Sequence, residues 1–455
     1  MNEMQPTKTE LPRVLGLVSI IGIVIGTMIG SGIFINPAKV AHDVGTPLIM
    51  LVVWIMGGIL SFFGALAVAE LGSMFTRAGG IYVYLREAFG PKVAFLFGWT
   101  LFLVIESGTI ATLAVGFSTK YLPFFFDLSG LQTKIVAIVL IAALALVNIL
   151  GVRKGAYLMN FLTAIKFIAL IAVCVLIFIF AKGSTVNFIT GGSTAAASGG
   201  VLGSFGLALV AVLWAYKGWE TGTYSAGEIR NPQKKLPLGL FIGTLTVLIL
   251  YVLANLAYLY VFPASRMAAS GRIAADVMAE VFGPTGASAI ALIILLSMTG
   301  TANGHILTSS RVFYAMAQDG LFFKSVANVH PRYQTPHVSI ILLASWAAVL
   351  SLSGTFEQLF SYVIFGFWIF MGLTVAGVLI LRRKRPDLPR PYKTWGYPVT
   401  PILFILSSIF LTVNSLIQNF WNSAIGLTLI ALGIPVYYIW QGRGKNSGEN
   451  TIGVH

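Results

Sequence analysis

Charge is what this sequence has least of. Asp, Glu, Lys and Arg make up 10% of its 455 residues, against about 25% in soluble domains. That scarcity excludes an ordinary water-facing surface. Cysteine is nearly absent: the single Cys174 lies inside an apolar run, so no intrachain disulfide and no cysteine-based metal site can form. The five histidines, His42, His305, His330, His337 and His455, show no metal-ligand clustering. Only His305 falls in an apolar segment, and a satisfied core histidine is the reading there. No Gly-x-x-x-x-Gly-Lys-Ser/Thr loop occurs, which excludes direct drive by ATP. Clustered nucleophiles and acids are also missing, so neither an enzyme nor a bound cofactor or metal is expected.

What is present is apolar. Hydrophobic residues make up 57% of the chain and the mean hydropathy is +0.87. A bilayer span takes about 20 mostly apolar residues. Twelve such segments can be marked, near 14–40, 47–75, 92–118, 134–150, 157–181, 203–227, 238–262, 284–314, 338–354, 358–381, 399–417 and 423–441. The first run, from Val14, is followed by many others and therefore reads as a retained helix rather than a signal peptide. Loops are punctuated by Gly90-Pro91-Lys92, Asn231-Pro232 and the run Arg382 to Arg390. The Gly-, Ser- and Ala-rich stretch Gly191–Gly200 is expected to be a flexible outer loop. The phenylalanines read as lipid-facing and packing surface.

The net charge of +14 would suggest nucleic acid on a soluble protein. Here it follows from the excess of Lys and Arg in cytoplasmic loops. With the N-terminus inside, most of the 29 lysines and arginines fall on the inner side, among them Lys8, Arg13, Arg77, Arg86, Arg153, Lys234, Arg311, Arg382, Arg390 and Lys445. Lys39, Lys120, Lys134, Lys182, Arg266 and Arg272 fall outside, and Lys166 and Lys217 fall within spans. Both termini are thus expected to be cytoplasmic, in the cell (inner) membrane. The short tails leave no room for a signalling domain, so residues 1–455 form one membrane domain.

Two segments carry interruptions at mid-depth. The first reads Gly26-Thr27-Met28-Ile29-Gly30-Ser31-Gly32-Ile33-Phe34, the sixth Trp214-Ala215-Tyr216-Lys217-Gly218-Trp219-Glu220. Glycine costs a helix about 1 kcal/mol against alanine and permits backbone conformations other residues avoid. Irregular backbone within a membrane persists only where protein or a wet cavity satisfies its polar groups. Transporters use such breaks: N–H groups face a ligand from one end and carbonyls from the other. A zwitterion suits both, its carboxylate near Ser31, Gly32 and Ile33, its ammonium near Thr27, Met28, Ala215 and Tyr216. The plainer reading is close helix packing, for which Gly22, Gly26 and Gly30 have the spacing.

The paired placement argues for a binding site. The breaks open segments one and six, five spans apart. Five is odd, so the second five-helix unit enters the membrane inverted. Residues 13–182 form the expected first repeat, 203–382 the inverted second, and 398–441 two accessory helices.

Charges inside the spans need partners. Lys166 lies about 16 Å along its helix from Gly155, near the bilayer middle, too deep to snorkel. Lys217 and Glu220 can satisfy each other locally. Alternatively, Lys217 is a counter-charge for an acidic substrate and Glu220 a proton-linked gate. Glu106 can pair with Lys217 across the cavity or touch substrate itself. Glu70, near the inner end of the second segment, is expected to hold a loop backbone.

These stretches resemble the amino acid–polyamine–organocation superfamily, most closely its L-type amino acid transporter family. Beside the first break, the resemblance rests on Ala69-Glu70-Leu71-Gly72 with Gly79-Gly80 and Tyr82, and on Glu228-Ile229-Arg230-Asn231-Pro232. It rests further on Asn303-Gly304 with Thr308-Ser309-Ser310-Arg311, His330-Pro331 and Thr335-Pro336, and on Leu381-Arg382-Arg383, Pro386 and Arg390-Pro391-Tyr392-Lys393. The ordered set covers nearly the whole chain. It implies an all-α membrane protein of about twelve transmembrane helices with a leucine-transporter-type 5+5 inverted repeat, alternating access, and amino-acid transport, commonly by exchange. It places an aromatic gate at Trp214 and substrate contacts at Tyr216 and Glu220. It puts Lys166 where sodium-coupled relatives hold a cation, against the break in helix one, which implies sodium-independent uptake. Lys217 departs from the small or neutral residue of relatives. The loop between helices three and four lacks the cysteine that eukaryotic relatives use to bind a glycoprotein, so a stand-alone, prokaryotic-type member without a disulfide-linked heavy subunit is expected.

The expected function is sodium-independent exchange of small neutral L-amino acids. Proton-coupled symport and carriage of charged amino acids or related amines are the alternatives, and a channel is the alternative of another class. A desolvated Lys166 that releases and rebinds a proton would favour symport.

Overall fold

The computed structural model describes residues 11–190, 200–353 and 356–446, and over 356–362 and 442–446 only the course of the helix. The expected outer loop, but for Gly200, and Lys8 lie outside the described residues; the side chain of Lys445 does too.

The described chain is helical almost throughout. In order the helices are α1 (Leu17–Met28), α2 (Gly32–Val44), α3 (Pro47–Met74), α4 (Ile81–Phe89), α5 (Pro91–Thr100), α6 (Glu106–Gly116), α7 (Gly130–Ile149), α8 (Val152–Phe180), α9 (Gly200–Ala215), α10 (Thr221–Tyr224), α11 (Pro232–Val261), α12 (Ala264–Ala268), α13 (Ile273–Gln318), α14 (His337–Ser353), α15 (Phe356–Lys384), α16 (Val399–Gln418) and α17 (Phe420–Asn446). Among the described residues nine spans are long and apolar enough to cross a membrane, and α1 with α2, bent by 40°, makes a tenth. The apolar helices α9 and α14, each shorter than a full span, occupy the two remaining apolar segments of the sequence. The amphipathic α4, with Arg86 and Glu87 in its last turns, was invisible as a span because it is not one.

Element ends follow from local chemistry. Pro47, Pro91 and Pro232 stand at first helical positions, where the missing N–H costs nothing. Ser129 and Gln132 form a reciprocal capping box at the start of α7. Gly283, with φ of 66°, breaks the helical backbone within α13 just before Pro284, where the eighth apolar segment of the sequence starts.

Burial sorts the helices into centre and rim. The span Pro91–Phe124, which contains α5 and α6, has 72% of its most apolar stretch buried in protein; Gly130–Ile149 has 22%. Large apolar side chains such as Leu131, Val139, Phe161, Ile168, Phe178, Leu406 and Ile417 are exposed. Apolar surface on this scale needs lipid, not water. The two interrupted helices lie in the middle: α1 packs on α8, α11 and α13, and α2 packs on α9.

Buried ion pairs tie the loop ends together. Glu70 accepts the Thr394 N–H at 2.8 Å and hydroxyl at 2.7 Å, so it does hold a loop backbone, and it also takes both Arg382 nitrogens at 2.7 and 2.8 Å. Tyr82 donates to Asp319 at 2.9 Å, and burial beside that carboxylate raises its pKa. Arg311 and Glu228, both fully buried, form a two-pronged pair at 2.9 and 3.1 Å. The Glu228 carbonyl accepts Leu15 N–H, and the Leu15 carbonyl accepts Arg230 N–H, fastening the chain before α1 to the end of the sixth segment. Breaking a buried pair strands a charge at about 3–5 kcal/mol. Arg311→Met is therefore expected to lower the thermal unfolding midpoint in detergent sharply, and an unchanged midpoint would refute this role.

Candidate functional site

The backbone leaves helical geometry between α1 and α2. Ile29 (ψ 83°) closes α1 through its N–H to Ile25, and Gly30 N–H bonds back to Met28. At the end of a helix the last carbonyls lack partners and carry the negative end of the macrodipole. Lys166 of α8 meets them. Its fully buried ammonium donates to the Gly26 carbonyl, to the Ile29 carbonyl at 2.7 Å and to Thr301 Oγ1 at 2.9 Å. Those three bonds use all three ammonium donors. Ser297 Oγ donates to the Ile29 carbonyl at 2.8 Å, and Thr301 Oγ1 lies 2.9 Å from both carbonyls. The Lys166 ammonium thus sits in a cage of helix-end carbonyls at the break.

The second break touches the first. Between α9 and α10 the chain turns through Gly218, with φ of 122°, a conformation that favours glycine. Thr27 Oγ1 donates to the Gly218 carbonyl at 2.9 Å and lies 3.0 Å from Thr221 Oγ1. A Cβ on Gly218 would stand 2.7 Å from the Thr27 carbonyl carbon, and one on Gly32 would stand 2.6 Å from Ala215 Cα. The Tyr251 hydroxyl lies 2.7 Å from the Met28 carbonyl and 3.2 Å from that of Ala215, so one side chain of α11 spans both breaks. These are two of the carbonyls expected to face a substrate ammonium; each retains a second lone pair.

Between the breaks lies a cavity of about 20 Å³. Thr27, Met28, Gly30, Ser31, Gly32, Trp214, Ala215 and Lys217 line it, joined by Thr109 and Leu113 of α6 and Thr301 and His305 of α13. The buried Ser31 hydroxyl has no hydrogen-bond partner among the described residues. At the start of α2 the first N–H groups have no intrahelical acceptor. A polar ligand group is the natural complement to both.

The remaining expected site residues stand around this cavity rather than in its lining. Ile29 serves Lys166, and Ile33 is fully buried. Tyr216 packs its ring on Trp54 and Tyr251, at centroid distances of 6.0 and 5.0 Å, so its side chain is not a cavity wall. Gly218 supports α1. Glu220 accepts the Gly218 N–H at 3.0 Å, and its other oxygen is 3.8 Å from Lys217. Lys217 instead pairs closely with Glu106, at 3.0 Å. Glu106 also accepts Ser309 Oγ at 2.6 Å and lies 2.7 Å from His305 Nδ1. One π-helical turn, Leu101–Ile105, immediately precedes Glu106; such turns redirect side chains at functional sites.

Sequence reasoning missed Thr109, Leu113, Ser297, Thr301 and Tyr251, and read His305 as core only. Hydroxyls on apolar helices give no periodic signal, because each can bond its own backbone four residues back, as Thr109 does to Ile105. Among the described residues no group of three or more His, Cys, Asp or Glu side chains is placed to hold a metal.

A family model described as amino acid permease matches residues 15–439. The human b(0,+)-type amino acid transporter 1 is 34% identical over 448 residues, spanning 97% of this chain and 90% of its own length. The human cystine/glutamate transporter is 32% identical over 437 residues, 95% of this chain and 86% of its own. The serine/threonine exchanger SteT of Bacillus subtilis (strain 168) is 32% identical over 438 residues, 96% of this chain and 98% of its own.

Proposed function

The chain belongs to the amino acid permease family, whose members are transporters rather than enzymes, and from its paired helix breaks we propose that it is a sodium-independent exchanger of small neutral L-amino acids. The observation that carries this reading is the cavity between two apposed breaks, with the Lys166 ammonium fixed in the carbonyl cage of the first. A substrate carboxylate meets the start of α2 and Ser31, and its ammonium meets the free lone pairs at the ends of α1 and α9. A cation bound at the cage would duplicate Lys166, hence no need for sodium. The tight walls at Gly32 and Ala215 support a small side chain. Substrate passes by alternating access, residues 13–182 and 203–382 acting as inverted repeats with 398–441 as accessory helices. The protein sits in the cell membrane with both termini cytoplasmic and works without a disulfide-linked heavy subunit. The relatives named as transporters and as a serine/threonine exchanger support exchange.

One observation favours a second reading, proton-coupled symport. Glu220 Oε1 is buried and has no hydrogen-bond partner among the described residues, which makes that carboxyl a candidate proton carrier. Uptake of labelled small neutral amino acids into proteoliposomes separates the two. Exchange predicts that internal amino acid accelerates uptake and that replacing sodium by choline changes nothing. Net uptake into empty vesicles driven by a pH gradient selects symport, and collapse of uptake in choline overturns the role given to Lys166.

A further inference from the structure

We propose that Glu106 sets the charge selectivity of the cavity: by neutralising Lys217 and holding His305 at the wall, it makes the site accept uncharged side chains, and loss of the Lys217 charge turns the same site toward cationic amino acids. The inference rests on the amino-acid reading given above.

Lys217 and His305 line the cavity, whereas Glu106 lies behind them and does not. Glu106 is reached through one oxygen by Lys217 Nζ at 3.0 Å and through the other by His305 Nδ1 at 2.7 Å and Ser309 Oγ at 2.6 Å. Glu106 is 0%, His305 1% and Lys217 4% exposed, so water does little to screen these charges. Glu220, a second carboxylate, lies 3.8 Å from Lys217 Nζ, and the Phe367 ring centroid lies 5.3 Å from it. The positive charge that the sequence displays in the sixth segment is thus already answered by two carboxylates. It offers no free counter-charge to an acidic side chain, and it occupies the place beside the carboxylates that the ammonium of a basic one would need. A charged substrate would enter without a partner, which a low-dielectric site penalises.

The arrangement also holds a latent site. Lys217→Met keeps length and removes charge. Glu106 then retains Ser309 and His305 but loses its cation, and Glu220 faces the same gap. A substrate that carries its own side-chain ammonium can fill the place of Nζ. Glu106→Gln does the reverse and leaves Lys217 with the weaker pairing to Glu220. Glu106 is a positioning residue here, since it acts through the two side chains that touch the cavity.

The test is competition against labelled serine uptake in proteoliposomes, with alanine, lysine, ornithine and diaminobutyrate as competitors. Four proteins are compared: the unmodified chain, Lys217→Met, Glu106→Gln and the double variant. Inhibition by the cationic competitors should strengthen about 10-fold or more in Lys217→Met. The double variant should return to neutral selectivity, within a few-fold of the unmodified chain. A structural role alone lowers uptake without moving selectivity or being rescued. Unchanged selectivity in Lys217→Met, or a double variant as impaired as the worse single one, overturns the proposal. Should neither single variant purify as a monodisperse protein, Lys217→Gln takes the place of Lys217→Met, with about 10-fold stronger inhibition by the cationic competitors supporting the proposal and unchanged selectivity overturning it. Absence of amino-acid uptake by the unmodified chain sinks the transport reading instead.

Discussion

Replacing Lys166 by methionine is expected to reduce exchange at least about 100-fold, equivalent to roughly 2.7 kcal/mol or more. The side chain enters α1 where the helix ends, and two carbonyls, those of Gly26 and Ile29, depend on it. Each buried acceptor left without a donor costs about 1–3 kcal/mol. Ser297 and Thr301 already lie within hydrogen-bond distance of the same carbonyls, but neither brings charge, and the carbonyls sit at the negative helix end. Methionine fills similar volume, so the space beside Gly300 stays occupied. The loss therefore reports the ammonium. Arginine should not restore activity: its planar guanidinium cannot point three donors into a pocket shaped for an ammonium. Counterflow rates and the thermal midpoint with and without substrate check this, and near-normal counterflow in Lys166→Met would refute it.

The second large effect comes from two glycines and is sharpened by a third. Gly32→Ala drives a methyl into the Ala215 backbone and side chain, at 2.6 and 2.7 Å. Neither neighbour is a flexible side-chain tip that can swing away. Gly218→Ala meets the Thr27 carbonyl group at 2.7 and 2.8 Å and also forces a side chain onto a φ of 122°. Overpacking and backbone strain each cost about 1–3 kcal/mol. Both substitutions push the breaks apart at the proposed substrate site, so each should abolish exchange. Gly30→Ala differs. Its nearest neighbour is the Thr301 methyl at 3.4 Å, an ordinary contact, so uptake of the smallest substrates should persist while larger ones are excluded. If the glycines served only helix flexibility, all three substitutions would weaken transport alike. Competition profiles of the three variants distinguish these outcomes.

Much of this could be read from residues alone. Twelve apolar runs announced the helices, and three small residues at mid-depth announced the first break. The partner break was legible because Lys217 and Glu220 have no business in a membrane span unless they are answered. The depth of Lys166 required a partner, but which carbonyls it caps depended on how α8 packs against α1, a contact across 140 residues. Tyr251 was hidden for the same reason: a tyrosine in an apolar helix looks like packing until both carbonyls it bridges are in place. Glu106 was legible as a possible partner of Lys217, yet His305 beside it was not, since a lone histidine gives no direction. Tyr216 stood next to the break in sequence and so was expected at the substrate; the side chain turns toward Trp54 and Tyr251 instead.

The near absence of cysteine makes a direct test of the binding site practical. Cys174 lies in α8 away from the cavity lining, so Cys174→Ser yields a background without thiols. Ser31→Cys on that background places one thiol where the unpartnered hydroxyl lines the cavity. Its alkylation by a small membrane-permeant thiol reagent should slow at least several-fold when a transported small neutral amino acid is present in sodium-free buffer, at concentrations that saturate uptake. Alkylation unaffected by a saturating substrate would contradict binding between the two breaks.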